Sequence, residues 1–113
     1  MTQQYNGTIL DQTAVASTSV VYSEDFELDD TVTALKLAWN FNVAGTIQVQ
    51  YRREGYSASP SYSDLKDETA TVTANHTERL IVNNPPRRGR VSFTPAAQPW
   101  TGWLELQLER AAR

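Results

Sequence analysis

The sequence predicts an all-β fold, either a single antiparallel β-sandwich or a partly closed barrel. One observation is the strict alternation of apolar and polar residues in several segments, which gives a strand one buried face. Another is the frequency of turn residues between these segments, which predicts about seven or eight short strands. The length of 113 residues fits one ordinary domain.

The clearest strand signal lies between residues 32 and 43, where large apolar residues recur at every second position: Leu35, Leu37, Trp39 and Phe41. The turn signal Ala44-Gly45 follows. A second alternating segment then places Ile47, Val49 and Tyr51 on one side. Two alternating strands joined by a short turn predict a β-hairpin with a buried inner face and a solvated outer face.

Shorter segments of strand character lie on both sides of this pair, at 18–22, 26–28, 70–74, 79–82 and 90–94. Turn-rich sequences such as Asn83-Asn84-Pro85-Pro86 separate them. Residues 103–109 are good helix formers, but Leu104, Leu106 and Leu108 recur at every second position. A strand buries all three leucines on one face, so we interpret this segment as a strand.

Two polar segments lack a core pattern. In residues 1–16 the apolar residues Tyr5, Ile9 and Leu10 are isolated, so we predict an irregular N-terminal arm that becomes ordered on a partner. The sandwich domain is then 17–113. Residues 55–64 form a Ser- and Tyr-rich loop containing Tyr56 and Tyr62, a type of segment that often carries recognition.

Charge is distributed unevenly along the chain, although the net charge is only -3. The first part is purely acidic: Asp11, Glu24, Asp25, Glu27, Asp29 and Asp30 precede any lysine or arginine. The part after residue 78 is rich in arginine. Such asymmetry indicates either two solvated faces or oppositely charged edges that guide neighbouring copies together.

No catalytic residue, cofactor site or metal site is predicted. The chain has no cysteine, and its single histidine, His76, lies in a polar turn, so neither a His/Cys zinc site nor a catalytic triad is favoured. The run of acids between Glu24 and Asp30 has the pattern of a solvated turn rather than of a pocket with paired carboxylates or a calcium loop. The glycines are scattered and form no phosphate-binding pattern.

The candidate residues for partner binding are arginines and aromatics. Arg87, Arg88 and Arg90 form a basic cluster after two prolines, which we interpret as a loop that pairs with carboxylates, including those of a neighbouring protein, rather than with nucleic acid. Trp39 is predicted to be core. Tyr56, Tyr62, Trp100 and Trp103 are predicted either to cover a second sheet or subunit contact, or to form a sugar-binding platform.

Several motifs resemble those of one family. They begin with the run from Ser17 to Leu28 and the strand 32–41. Ala44-Gly45-Thr46-Ile47-Gln48-Val49-Gln50-Tyr51, Arg90-Val91-Ser92-Phe93-Thr94 and Gly102-Trp103-Leu104-Glu105-Leu106-Gln107-Leu108 follow. The order of a hydrophobic strand, a Gly-Thr turn, an alternating strand and two closing strands is similar to small β-sandwich structural proteins of tailed bacteriophages, the capsid decoration or head-auxiliary type. Relatives commonly carry a tryptophan in the loop after the alternating strand, where this chain has Tyr56 and Tyr62.

The resemblance implies a non-enzymatic virion component that binds the major capsid protein or other virion proteins. Homo-oligomerisation, for instance as a trimer, is expected, and nucleic acid and membranes are not expected partners. No secretion signal or membrane span is recognised, so we expect synthesis in the host cytoplasm and a final place in the virion. The alternative is a carbohydrate-binding module on a tail or fibre appendage that recognises the host.

Overall fold

The computed structural model describes residues 2–3, 7–53 and 61–111, and in these residues it contains ten strands and no helix. The strands are Thr2–Gln3 (β1), Gly7–Val15 (β2), Val21–Tyr22 (β3), Asp25–Glu27 (β4), Val32–Phe41 (β5), Gly45–Arg53 (β6), Ser61–Val72 (β7), Glu78–Asn83 (β8), Arg88–Pro95 (β9) and Trp100–Arg110 (β10). The described part of the chain therefore contains no helix that could cross a membrane.

The strands form two sheets packed face to face, which confirms the predicted β-sandwich. One sheet has six strands in the order β1-β4-β9-β6-β7, with β3 also paired to β9, and the other has the order β2-β10-β5-β8. Every pairing is antiparallel except that of β1 with β4. The strand number exceeds the prediction because β1 and β2 lie within residues 1–16, which were predicted to form an irregular arm.

The predicted hairpin between β5 and β6 is wrong, because these strands belong to different sheets. The chain crosses from one sheet to the other at residues 42–44, where the amide of Asn42 donates to the carbonyl of Thr101 and the carbonyl of Ala44 accepts from Ala96. Both strands turn their apolar side chains toward the same core, but from opposite sides. The sequence shows the same alternation and the same turn residues whether β5 and β6 pair in one sheet or face each other from two sheets. The pattern therefore could not distinguish a hairpin from a crossing between sheets.

The irregular arm predicted for residues 1–16 is wrong for residues 7–15, which form β2 at the edge of the four-stranded sheet. Leu104 of β10 pairs with Leu10 and the next residue, Glu105, pairs with Thr8, so Ile9 is an extra residue in a β-bulge. A bulge interrupts alternation and turns neighbouring side chains to the same side. Ile9 and Leu10 are therefore both buried, with 3% and 7% of their surface exposed.

An aromatic cluster lies at the centre of the core. The rings of Phe41 (β5) and Phe93 (β9) stack across the two sheets with centroids 3.8 Å apart and an interplanar angle of 11°. Trp100 approaches both rings edge-on, at centroid distances of 5.7 Å and 5.2 Å. Edge-on and stacked pairs of this kind stabilise a core by roughly 0.5 to 1.5 kcal/mol each beyond their apolar burial.

Glycine is required where the backbone passes closest to these rings. A Cβ on Gly102 would contact Cδ1 of Phe41 and lie 2.6 Å from the carbonyl oxygen of Asn40. A Cβ on Gly45 would contact the carbonyl oxygen of Thr94 and lie 2.6 Å from Cε1 of Phe93. The aromatic stack can form only because both positions have no side chain.

Replacing Gly102 with alanine should destabilise the protein. The new methyl group would overlap Phe41 and backbone that cannot move without breaking the sheet, so we expect a loss of about 1 to 3 kcal/mol in the free energy of unfolding. Urea unfolding followed by tryptophan fluorescence measures this, with the exposed substitution Lys66→Ala as control. Equal stability of the Gly102→Ala and Lys66→Ala variants would contradict the role assigned to Gly102.

Candidate partner-binding site

The outer face of the six-stranded sheet carries a row of polar side chains. Arg90 of β9 pairs in register with Gln50 of β6, and Gln50 pairs with Asp64 of β7. Val49 and Val91, the neighbours of Gln50 and Arg90 in sequence, are fully buried on the opposite face. Alternation thus separates an apolar inner surface from a polar outer one.

Arg90 is held between two tyrosine rings on this face. Its guanidinium carbon lies 3.7 Å from the ring centroid of Tyr22 and 3.8 Å from that of Tyr62. A guanidinium stacked on aromatic faces gains cation–π attraction, which is worth roughly 0.5 to 2 kcal/mol per ring depending on exposure. We call the set of Tyr22, Asp25, Gln50, Tyr62 and Arg90 the Tyr–Arg–Tyr cluster.

Hydrogen bonds fix the orientation of the Tyr–Arg–Tyr cluster. The Tyr62 hydroxyl donates to Oδ2 of Asp25 over 2.5 Å, and Nε of Arg90 donates to Oε1 of Gln50 over 2.8 Å. Nε2 of Gln50 in turn donates to Oδ1 of Asp64 over 2.9 Å. These bonds connect β4, β9, β6 and β7 across the outer face, so the cluster is rigid before any partner arrives.

The Tyr62 phenol remains a neutral donor over the physiological pH range. Burial raises the pKa of Tyr62 above its ordinary value, and the hydrogen bond to Asp25 and the charge of that carboxylate raise it further. The neighbouring cations Arg90 and Arg52 act in the opposite direction. At neutral pH the phenol proton therefore stays on Tyr62, which donates it in the hydrogen bond to Asp25.

A bulge in β7 brings Tyr62 to this face. Gln48 pairs with Thr69, so regular pairing would place Asp67 opposite Gln50, whereas Asp64 occupies that position. The register shifts by three residues, and successive residues of a strand point to opposite faces. Because three is an odd number, the two faces of β7 are exchanged beyond the bulge, and Tyr62 and Asp64 point outward. Nε2 of Gln48 holds the bulge by donating to the carbonyls of Val49, Leu65 and Glu68 at 2.8, 3.1 and 3.3 Å.

The acidic and the arginine-rich parts of the chain pair with each other. Arg88 binds Glu27 at 3.2 Å, Arg87 binds Asp30, and Arg110 binds Asp29 at 2.7 Å. The predicted pairing of the arginine loop with carboxylates thus occurs inside this chain. Pairing with a neighbouring protein stays a prediction.

The structure brings some of the predicted partner-binding residues together and buries others. The outer face of the six-stranded sheet and its border carry Arg88, Arg90 and Tyr62. Arg87 is the residue directly before β9. Ile9, Leu10 and Trp100 belong to the core, with Trp100 fully buried, so the expectation that they contact a partner or a sugar is wrong. Tyr5 and Tyr56 lie outside the described residues.

Sequence reasoning missed Tyr22, Asp25 and Gln50 as members of a site. Tyr22 belongs to a β-branched run that predicted only a strand, and Asp25 belongs to the acidic run interpreted as a solvated turn. No local pattern joins residues so far apart in sequence. The outward position of Gln50 was readable from alternation with Val49 and Tyr51, but its partners were not.

A second aromatic lies on the outer face of the other sheet. Trp103 is half-buried on β10, and its cross-strand neighbours are Asp11 of β2 and Asn40 of β5. Nδ2 of Asn40 donates to Oγ1 of Thr77 over 3.0 Å. The indole is therefore bordered by a carboxylate and an amide, which together offer a flat apolar surface and hydrogen-bonding groups.

No cluster of side chains suited to a metal ion is present among residues 7–53 and 61–111. In this part of the chain no three side chains of His, Asp or Glu lie close enough to hold a metal ion. His76 is exposed, and its Nδ1 lies 2.9 Å from the carbonyl oxygen of Ala74, a contact within its own turn.

No protein-family model and no curated protein matches the sequence. Among solved structures, the crystal structure of the PBSX exported protein XepA is similar in fold, with a TM-score of 0.70 and 11% sequence identity over 96% of this chain. The chain spans 38% of the length of that protein. A family 6 carbohydrate-binding module matches over 95% of this chain and 88% of its own, with 12% identity and a TM-score of 0.43, a likeness too distant to support an argument.

The ion pair of Asp29 should make stability depend on acid pH. Hydrogen bonds from Thr31 and Arg110 lower the pKa of Asp29 from 3.8 to about 2. A carboxyl group whose pKa is lowered by folding stabilises the protein above its unfolded pKa and loses that contribution as the pH falls through the folded value. We expect the difference in urea midpoint between wild type and Asp29→Asn to shrink as the pH falls from 3.8 to about 2. A constant difference over this range would contradict the assignment.

Proposed function

We propose that this chain is a non-enzymatic structural component of a tailed-phage particle, and that it binds another virion protein through the outer face of the six-stranded sheet. The major capsid protein is the partner we place first. The observation that carries the binding role is the position of Arg90, which is clamped between Tyr22 and Tyr62 on a solvent-facing surface.

The Tyr–Arg–Tyr cluster has the composition of an interface hot spot. Tyrosine and arginine are enriched among the residues that dominate binding energy at protein interfaces, because they offer large contact areas with few rotatable bonds or a planar set of donors. Tyr22 still exposes 44% of its surface. Since hydrogen bonds and stacking already fix Arg90 and Tyr62, little side-chain entropy remains to be lost when a partner binds.

The charges on this face favour a protein partner over nucleic acid. Arg87 and Arg88 are neutralised by acidic residues of this chain, and the sequence pI is about 5.0. Phosphate backbones bind to excess positive charge, whereas protein interfaces use balanced polar rims around aromatic and arginine anchors. The mixed charges around the Tyr–Arg–Tyr cluster match the second description.

Two further observations support the phage assignment. The strand and turn motifs resemble those of phage head-auxiliary proteins, and the fold is similar to that of the PBSX exported protein, which is phage-derived. A domain that corresponds to 38% of that protein is of a size that larger phage proteins can carry as one module. Within the phage assignment we place capsid decoration first, and a position in the tail or in a fibre is the alternative.

Substitutions in the Tyr–Arg–Tyr cluster should weaken incorporation into particles. We expect Tyr22→Ala and Arg90→Lys each to lower the affinity for particles about tenfold or more, because lysine keeps the charge but cannot stack as a plane between two rings. Quantitative mass spectrometry of purified particles, and binding of the purified chain to particles that lack it, measure this.

Lys66→Ala, in the exposed bulge of β7, is the matched control and should bind normally. Circular dichroism and the urea midpoint verify that each variant is folded. Normal incorporation of folded Tyr22→Ala and Arg90→Lys would reject this face as the binding surface. Absence of the wild-type chain from purified particles would reject the phage assignment itself.

The alternative function, carbohydrate binding on a host-recognition appendage, is supported by the surroundings of Trp103. A half-buried indole bordered by Asp11 and Asn40 provides the flat surface and hydrogen-bonding groups that sugars use. The buried Trp100 does not contribute to this platform.

Titration with host surface polysaccharide and a glycan array test this alternative. If it holds, Trp103→Ala should abolish saturable binding, whereas Tyr22→Ala on the opposite face should leave it unchanged. Absence of binding by the wild type at millimolar sugar, roughly the limit of weak specific recognition, would exclude it.

A further inference from the structure

The outer face of the four-stranded sheet contains a groove of ≈ 480 Å³ with charged walls. In the strand register, Ala38 of β5 lies between Glu105 of β10 and Arg79 of β8. The next row consists of Gln107, Lys36 and Ile81 on the same three strands. The small side chain of Ala38 forms the floor of the groove, with an acid on one side and a guanidinium on the other.

The charged residues on the walls of the groove, Arg79 and Glu105, differ from several other arginines of the chain in their ion pairing. Arg87, Arg88 and Arg110 all bind carboxylates of this chain. Arg79 and Glu105 are exposed, and neither forms an ion pair with another residue in the ranges 7–53 and 61–111. With β5 between them, their backbones are roughly 10 Å apart, which is two strand spacings.

An exposed apolar side chain lies beside these charges. Ile81 exposes 53% of its surface, more than Val20, Tyr22 or Tyr51, the other large hydrophobic residues exposed in the described part of the chain. It lies on β8, an edge strand, next to Lys36. The charge of Lys36 is balanced by Glu109 at 3.2 Å.

We propose that a second copy of this chain packs on this face, about a twofold axis that runs parallel to β5. The twofold rotation leaves the position of each cross-strand row along β5 unchanged. It exchanges the β10 side of the row with the β8 side. Glu105 then faces Arg79 of the partner subunit, and Arg79 faces Glu105 of the partner subunit. One pair of surface charges thus makes two intermolecular ion pairs, as an isologous interface requires.

Shape and polarity support this occupant. Ala38 lies on the axis, where its small side chain allows the two sheets to approach to about 10 Å, the usual spacing of packed sheets. Lys36 also lies on β5 and meets Lys36 of the partner subunit, and the ion pair of each lysine with Glu109 offsets the repulsion between them. Ile81 then covers the aliphatic part of Gln107 of the partner subunit and is removed from water. A partner with charge of only one sign would satisfy one wall of the groove and repel the other, whereas a second copy satisfies both.

The proposed dimer uses the face opposite to the Tyr–Arg–Tyr cluster, so it does not depend on the proposed function. It leaves the six-stranded sheet exposed for a virion partner. It also covers the surroundings of Trp103, so dimerisation and sugar binding at Trp103 would compete.

Sedimentation equilibrium of the full chain, combined with charge reversal, tests the proposal. Wild type should form a dimer that weakens at high salt, because exposed ion pairs are screened. Glu105→Arg alone or Arg79→Glu alone places two like-charge contacts in each dimer and should raise the dissociation constant at least tenfold. The double variant carrying both changes restores opposite charges and should return to within about threefold of wild type.

Lys66→Glu, an exposed reversal on the other sheet, is the control for net charge and should leave the dissociation constant unchanged. All of these positions are exposed, and the urea midpoint verifies folding. A monomeric wild type at about millimolar concentration would overturn the proposal, since specific interfaces are tighter than this. A wild-type trimer, or a double variant as weak as the single variants, would also overturn it. None of these results depends on binding to particles.

Discussion

Phe41 and Phe93 come from different sheets, and the stacking of their rings, with Trp100 edge-on to both, is the contact around which the sandwich is built. It determines how closely the sheets approach and requires Gly102 where the backbone passes the rings. Because three large rings fill the centre, the remaining core can be made of Val, Leu and Ile on alternating positions. The outer positions of the same strands are then free to carry charged and polar residues.

The two outer faces carry different arrangements of charge. On the six-stranded sheet, Arg90 is paired and stacked, so this face presents a rigid surface whose polar groups are already oriented. On the four-stranded sheet, Glu105 and Arg79 lie on opposite sides of Ala38 and do not pair with each other. A sandwich with one pre-organised face and one face of complementary charges can contact two different molecules at once.

Prediction from sequence succeeded where a residue's environment follows from its own strand. Leu35, Leu37 and Trp39 were assigned to the core from alternation, and all three are buried. It failed where a bulge interrupted the alternation. Ile9 and Leu10 are adjacent in sequence, so a regular strand cannot bury both, and the segment was interpreted as an irregular arm. The bulge that resolves this conflict forms only against β10, which lies far away in the chain.

The sequence by itself determined that the chain is all-β, because alternation with a period of two is imposed by the local geometry of an extended backbone. The choice of a sandwich over a partly closed barrel came from the tertiary structure, which places the strands in two sheets. It also identified Arg90 and Tyr62 as candidates, from residue type and loop composition. Only the tertiary structure decided which residues meet. Tyr22, Tyr62 and Arg90 lie on three strands that are distant in sequence, and the register shift in β7 that turns Tyr62 outward depends on hydrogen bonds from Gln48 of β6. The pairing of β5 and β6 with different sheets was likewise decided by packing, since both arrangements place the same apolar residues against one core.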